Sequence, residues 1–326
     1  MKYVVSLVLL AAVCLLVLAF YPRATAPQAE RPASVHNTQD AASSSEQEQE
    51  QEQEQEQVSS TVERVSVDSK LLGREMHASV YLPPGYSTSV PYPVLYLFHG
   101  YGGSYGDYAA YLSLQSVTDR LIQSGRIDPL IIVEPEYGNS FGVNSKPDEG
   151  RDPGGVSIGP YEDYLIQEII PYVDTHYSTQ TDRAGRYIGG ISMGGYASLY
   201  LGLTHHDRFS RIGAHSAAIW NYSSSDQFIG QRDWLYPNDE LRAIRDPFML
   251  AADASRLKDM KIYLDVGAGD QLAVQDYALY ELLQKQHADV TWSSTNGGHN
   301  GAYWGGMLEQ YLLFYSAASS SSEQLQ

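Results

Sequence analysis

The sequence predicts a doubly wound α/β fold, a mostly parallel sheet with an antiparallel hairpin at its N-terminal edge. Three observations carry it. Residues 94–98 and 130–133 are short, unbroken apolar runs, the pattern of strands covered by helices on both faces. Helix-like segments separate such runs, and strand and helix signals then alternate towards the end of the chain. Residues 62–67 and 75–82 instead alternate apolar with polar side chains, as half-exposed antiparallel strands do.

Each element follows in order. Pro83-Pro84-Gly85 ends the second strand of the edge hairpin. Residues 109–124 read as the helix between the first two central strands, and 161–172 has apolar residues at helical spacing with Pro171 near its end. Further strands are expected at 187–188, 211–213 and 261–266, and further helices at 276–286 and 307–315. No internal repeat interrupts the series, so 61–316 is expected to form one domain. In sheets wound this way ligands sit beyond the carboxyl ends of the strands.

The flanks read differently. Met1-Lys2 followed by apolar residues from 3 to 20 is the pattern of an export signal, so 1–26 is expected to be a signal peptide or a signal anchor. Ala24-Thr25-Ala26 resembles a cleavage site, although Pro27 directly after it disfavours processing. Residues 27–60, with a Glu-Gln alternation from 46 to 57, have almost nothing to bury and should form a disordered, self-repelling linker. The serine-rich end, 317–326, should be a frayed tail. The expected setting is therefore extracytoplasmic, periplasmic or secreted, with a membrane touched only through residues 3–20. A formal net charge of −18 makes nucleic acid and anionic lipid poor partners. The single cysteine, Cys14, lies in the apolar start, so the rest of the chain can form neither a disulfide nor a thiolate metal site. With 43% hydrophobic residues among 326, the chain can bury a sizeable core without them.

The chemistry is concentrated in four places. Gly190-Ile191-Ser192-Met193-Gly194 follows a β-prone segment and precedes good helix formers, which fits a sharp strand-to-helix turn that lifts the Ser192 hydroxyl clear of the backbone. A Cβ at either flanking glycine would collide with the neighbouring strand or helix. His99-Gly100-Tyr101-Gly102-Gly103 follows the first central strand, where free backbone N–H groups can point into a cleft. The Tyr101 and Met193 N–H groups are the candidate oxyanion donors. Asp270 comes after the strand at 261–266, with Gly267 and Gly269 giving its loop freedom to turn the carboxylate, and His299 follows in Gly297-Gly298-His299-Asn300. Ser192, Asp270 and His299 thus occur in the order nucleophile, acid, base.

These residues carry a resemblance. Tyr81-Leu82-Pro83-Pro84-Gly85-Tyr86, the run from Pro93 to Gly100, the Ser192 turn and Gly297-Gly298-His299 together resemble the esterase D-like branch of the α/β-hydrolases over about 62–315. His99-Gly100-Tyr101-Gly102-Gly103-Ser104 and Asp107-Tyr108 look most like the microbial feruloyl esterases, whereas residues 134–159 depart from them. The resemblance implies a serine carboxylic-ester hydrolase of feruloyl or acetyl type, acting through an acyl-enzyme on a small or carbohydrate-linked ester. Siderophore-ester hydrolysis and acyl transfer are alternatives within the family, and a non-catalytic binding protein is an alternative outside it. No metal or organic cofactor is implied.

Other polar residues are read more plainly. His205-His206-Asp207 is expected at the end of the helix after Ser192, facing water rather than a metal. His215 and Ser216 either line the cleft or pack in the core. Asp265 lies inside a strand, and Asp276 is expected as a capping or surface carboxylate. Trp220, Tyr222, Trp234, Tyr236, Tyr303 and Trp304 either form an aromatic wall for a phenolic or sugar group or are core.

Overall fold

The computed structural model describes residues 59–222 and 228–317. The chain divides into two compact units, Met1–Gln51 and Glu52–Gln326, and the first lies wholly outside the described residues. The expected signal segment, the linker up to residue 58 and the tail from 318 therefore fall outside them too.

Strands β1 (Thr61–Ser69) and β2 (Arg74–Leu82) pair antiparallel, from Thr61 opposite Leu82 to Ser69 opposite Arg74. This is the expected edge hairpin. β2 pairs antiparallel with β4 (Ile131–Pro135), and β4 runs parallel to β3 (Val94–Phe98). All later pairings are also parallel, taking in β5 (Arg186–Ile191), β6 (Arg211–His215), β7 (Lys261–Gly267) and β8 (Asp289–Thr295). The sheet order is β1-β2-β4-β3-β5-β6-β7-β8. After β4 the chain crosses to the other side of β3, so the β3/β5 boundary is where the winding reverses and where a cleft opens in such folds.

Alternation along β3 explains the two layers. Val94, Tyr96 and Phe98 face one core, and Leu95 and Leu97 face the other. The second core is covered by α1 (Asp107–Tyr111), α2 (Leu114–Gln123) and the last helix, α10 (Gly301–Ser316). The first is covered by α3 (Tyr161–Asp163), α4 (Ile170–His176), α5 (Met193–Thr204), α6 (Ile229–Leu235), α8 (Pro247–Ala251) and α9 (Ala273–Lys285), while α7 (Asp239–Arg245), between α6 and α8 along the chain, adds no apolar side chain to it. Helices on both faces make the sheet doubly wound, the α/β-hydrolase arrangement.

Three elements differ from expectation. The helix expected at 109–124 is broken at Ser113, which has φ 60°. Leu112 and Leu114 are both buried in the same core, and two residues apart on one helix they would point away from each other. The helix expected to end near Pro171 runs on to His176, because a π segment, Tyr164–Ile169, widens the turns just before a residue that can donate no backbone hydrogen bond. Strand β8 was not expected from its polar Ser293-Ser294-Thr295 end. It is an edge strand, so only Val290 and Trp292 need to reach the core.

Candidate active site

β5 ends at Ile191 and α5 begins at Met193, so Ser192 alone turns the chain. It does so at φ 55°, ψ −116°, a conformation that costs on the order of 1–3 kcal/mol and survives only where its surroundings hold it. They do. The Ser192 N–H donates to His215 O at 2.9 Å, and its carbonyl accepts from Ala218 N–H at 3.0 Å and Tyr196 N–H at 3.1 Å. A Cβ on Gly190 would stand 2.6 Å from the Gly194 carbonyl carbon, and one on Gly194 would overlap the Phe98 carbonyl oxygen. The flanking glycines are therefore steric requirements, as expected.

Gly194→Ala should consequently destabilise the protein by ~3 kcal/mol or more, since backbone rather than a movable side chain blocks the new methyl. Gly306→Ala, in α10 with nothing within 4 Å, should be neutral or stabilising. Chemical denaturation of the two variants checks the contrast.

The acid and the base come from neighbouring loops. Ala268 N–H donates to Thr295 O and Gly269 N–H to Gly297 O, each at 2.8 Å, which staples the loop after β7 to the loop after β8. A Cβ on Gly267 would lie 2.6 Å from the Gly297 carbonyl carbon. Neither Gly267 nor Gly269 has a positive φ. These glycines thus serve close approach of two backbones, not the loop freedom expected of them.

The result is a continuous hydrogen-bonded series. His299 Nε2 lies 2.8 Å from Ser192 Oγ, and His299 Nδ1 lies 2.9 Å from Asp270 Oδ2. The other oxygen, Asp270 Oδ1, accepts from Leu272 N–H at 2.9 Å. Burial pushes the Asp270 carboxyl up, but the hydrogen bonds from His299, Leu272 N–H and the Ser216 hydroxyl outweigh it and hold the group below the usual carboxylate range. A charged Asp270 fixes the proton of His299 on Nδ1, leaving the Nε2 lone pair for the serine proton.

Beside the hydroxyl stands the turn after β3. A Cβ on Gly100 would be 3.5 Å from Ser192 Cβ. Among the described residues neither the Tyr101 nor the Met193 N–H has a protein acceptor, and Met193 opens α5, where the helix dipole favours negative charge.

The remaining candidates sort by burial. His205 and His206 are half-buried and Asp207 is exposed, and His205 Nε2 pairs with Glu162 Oε1 at 2.9 Å. His215 and Ser216 are fully buried, with the His215 ring hydrogen-bonded to Asp265 and stacked on Tyr311 at 3.5 Å. Asp265 also accepts from the Tyr303 and Tyr311 hydroxyls at 2.8 and 3.0 Å, so both its oxygens are engaged away from His299, whose Nδ1 is held by Asp270. Asp276 corrects the expectation of a surface carboxylate. It is buried and accepts from Ala217 N–H at 3.0 Å, and burial, followed by the charges of Asp270 and Asp265, pushes it well above the usual range. Of the six aromatics, Trp220, Trp234 and Tyr236 are core, Tyr222 is exposed beneath Arg242, Tyr303 is tied to Asp265, and Trp304 meets the His299 ring edge-on at 5.0 Å. Sequence reading missed Asn139, which contacts the turn at 100–103. Its signal was a polar side chain in Gly138-Asn139-Ser140, just past the carboxyl end of β4.

Known proteins share this chain's pattern. Residues 69–315 match the model of the Esterase family, described as Putative esterase. An endo-1,4-beta-xylanase/feruloyl esterase of Xylanibacter ruminicola is 32% identical over 166 residues, 49% of this chain and 22% of that protein. An acetyl esterase of Caldicellulosiruptor saccharolyticus is 25% identical over 243 residues, 69% of this chain and 84% of that one. Among solved structures, a ferulic acid esterase superposes with a TM-score of 0.66 at 26% identity, covering 79% of this chain and 98% of that chain. The chain spans less than a third of the length of the first curated relatives it matches. With the family model covering every strand from β2 to β8 and the serine, acid and histidine loops, the chain belongs to the Putative esterase family of α/β-hydrolases.

Proposed function

We propose that the protein is a serine carboxylic-ester hydrolase that works through an acyl-enzyme, with Ser192 as nucleophile, His299 as general base and acid, and Asp270 as the group that orients the imidazole. The observation that carries this reading is the series Ser192 Oγ to His299 Nε2 at 2.8 Å and His299 Nδ1 to Asp270 Oδ2 at 2.9 Å. Ser192 Oγ attacks the ester carbonyl as its proton passes to His299 Nε2. The carbonyl oxygen, now negative, takes hydrogen bonds from the Tyr101 and Met193 N–H groups. Collapse of the tetrahedral species expels the alcohol, which receives the proton from His299. Water then repeats the sequence on the acyl-serine and releases the acid.

Feruloyl or acetyl esters attached to a carbohydrate are the favoured substrates, because a xylanase/feruloyl esterase and an acetyl esterase are among the similar proteins. The apolar start at 3–20 supports a setting outside the cytoplasm, where such polymers are met. The test is hydrolysis of methyl ferulate, acetylated xylan, a siderophore trilactone and p-nitrophenyl acetate by the purified protein, with active sites counted by a fluorophosphonate. Turnover of the first or second above the others supports the assignment. Preference for the trilactone moves the substrate, and no turnover with no titratable serine removes the catalytic reading in favour of a binding protein.

A further inference from the structure

The Tyr101 N–H belongs to a turn whose central peptide is pinned by a side chain from another loop. Gly103 N–H donates to Gly100 O at 3.0 Å, and Gly102 has φ 78°. A four-residue turn closed by that bond, with glycine at a positive φ in its third position, is of type II. Type I uses the same closing bond with the central peptide reversed; such a flip turns the Tyr101 carbonyl and the Gly102 N–H but leaves the Tyr101 N–H in the preceding peptide, so a tie at Gly102 serves that donor by fixing where the whole turn sits. The first corner is already firm. Gly100 O also accepts from the His99 ring through Nδ1 at 2.8 Å, and burial pushes His99 below its ordinary value, keeping the ring neutral.

The second corner depends on Asn139. Its Oδ1 accepts from Gly102 N–H at 2.7 Å, its Nδ2 donates to Gly155 O at 2.9 Å, and its own backbone N–H donates to Ser157 Oγ at 3.0 Å. A parallel tie runs from the Tyr101 hydroxyl to Gly154 O at 2.8 Å. Tyr101 is therefore held through the peptide that follows it and through the end of its ring, both times to residues of the 134–159 segment. Gly102 and the Tyr101 side chain are exposed, so water can replace either bond with little effect on folding. What water cannot replace is the fixed position of the turn.

Resting on the reading of Tyr101 N–H as an oxyanion donor, we propose that Asn139 is a positioning residue for the transition state. It anchors the 100–103 turn to the 134–159 segment, so that the Tyr101 donor is in place before charge develops on the substrate oxygen. Pre-set direction is what gives an oxyanion donor its value, and a displacement of ~1 Å at a reacting group costs on the order of 100-fold.

Asn139→Ala in the full-length enzyme is the test, with kcat expressed per serine titrated by a fluorophosphonate. The expected result is a fall in kcat on the order of 10- to 100-fold with KM within about threefold, an unchanged thermal midpoint, and a parallel loss of affinity for a trifluoromethyl ketone, whose serine adduct carries the same oxyanion. Tyr101→Phe, which removes the second tie, should lower kcat per titrated site in the same direction and carries the test if Asn139→Ala does not fold. Unchanged kcat per titrated site in the folded variants, or loss confined to the thermal midpoint and the titratable fraction, overturns the proposal. Failure of the parent protein to titrate would instead point to the serine assignment itself, so the two readings fail separately.

Discussion

Ser192→Ala is expected to remove ester hydrolysis almost entirely while leaving the fold intact. The strained backbone at φ 55° suits serine and alanine equally, and its holding bonds to His215, Ala218 and Tyr196 are all made by main-chain atoms. Only the hydroxyl at 2.8 Å from His299 is lost. In a triad that acts as a unit, loss of the nucleophile costs on the order of a millionfold in turnover, because no acyl-enzyme can form. Rates on p-nitrophenyl acetate, beside circular dichroism and a thermal melt of the same preparation, give the comparison. An Ala variant that keeps more than about a tenth of the parent activity is incompatible with Ser192 as nucleophile.

Asp270→Asn should have the next largest effect, about 10⁴ in kcat. Its geometry dictates the outcome. Leu272 N–H donates to Oδ1, so an asparagine must turn its oxygen to Leu272 and its amide nitrogen to His299. That nitrogen is a donor, and it forces the histidine proton from Nδ1 to Nε2, where the serine proton has to be received. Asp276→Asn exchanges a buried acid, pushed well above the usual carboxylate range by its surroundings, for an amide of the same shape, and one acceptor for Ala217 N–H survives. Less than about tenfold should be lost there. Asp265→Asn leaves one acceptor oxygen where two served His215, Tyr303 and Tyr311, and should lower the thermal midpoint rather than kcat per folded molecule. If Asp276→Asn loses most activity and Asp270→Asn keeps it, the acid is misassigned.

Much of this was legible in one dimension. β3 falls where its unbroken run of apolar residues put it, because a strand covered on both faces has no polar side to confuse the pattern. The Ser192 elbow was readable since its glycines answer a steric demand made within five consecutive residues. The order of Ser192, Asp270 and His299, the first two past the end of an expected strand, was also available from the chain, as family membership of residues 69–315 bears out for the fold that carries them.

Other features needed the folded molecule, and for one physical reason: they depend on which distant segments meet. β8 is polar enough to read as loop until β7 offers it a hydrogen-bonding edge. Ser113 breaks a helix only because one core claims both Leu112 and Leu114. Asp276 changes from surface acid to buried acceptor when Ala217, 59 residues earlier, comes to rest on it. Gly267 is required by the backbone of Gly297, and the Tyr101 turn by a side chain from 37 residues beyond Gly102. Local sequence determined which residues could do the chemistry; packing between remote segments decided which carboxylate reaches His299 and what holds the turn that faces it.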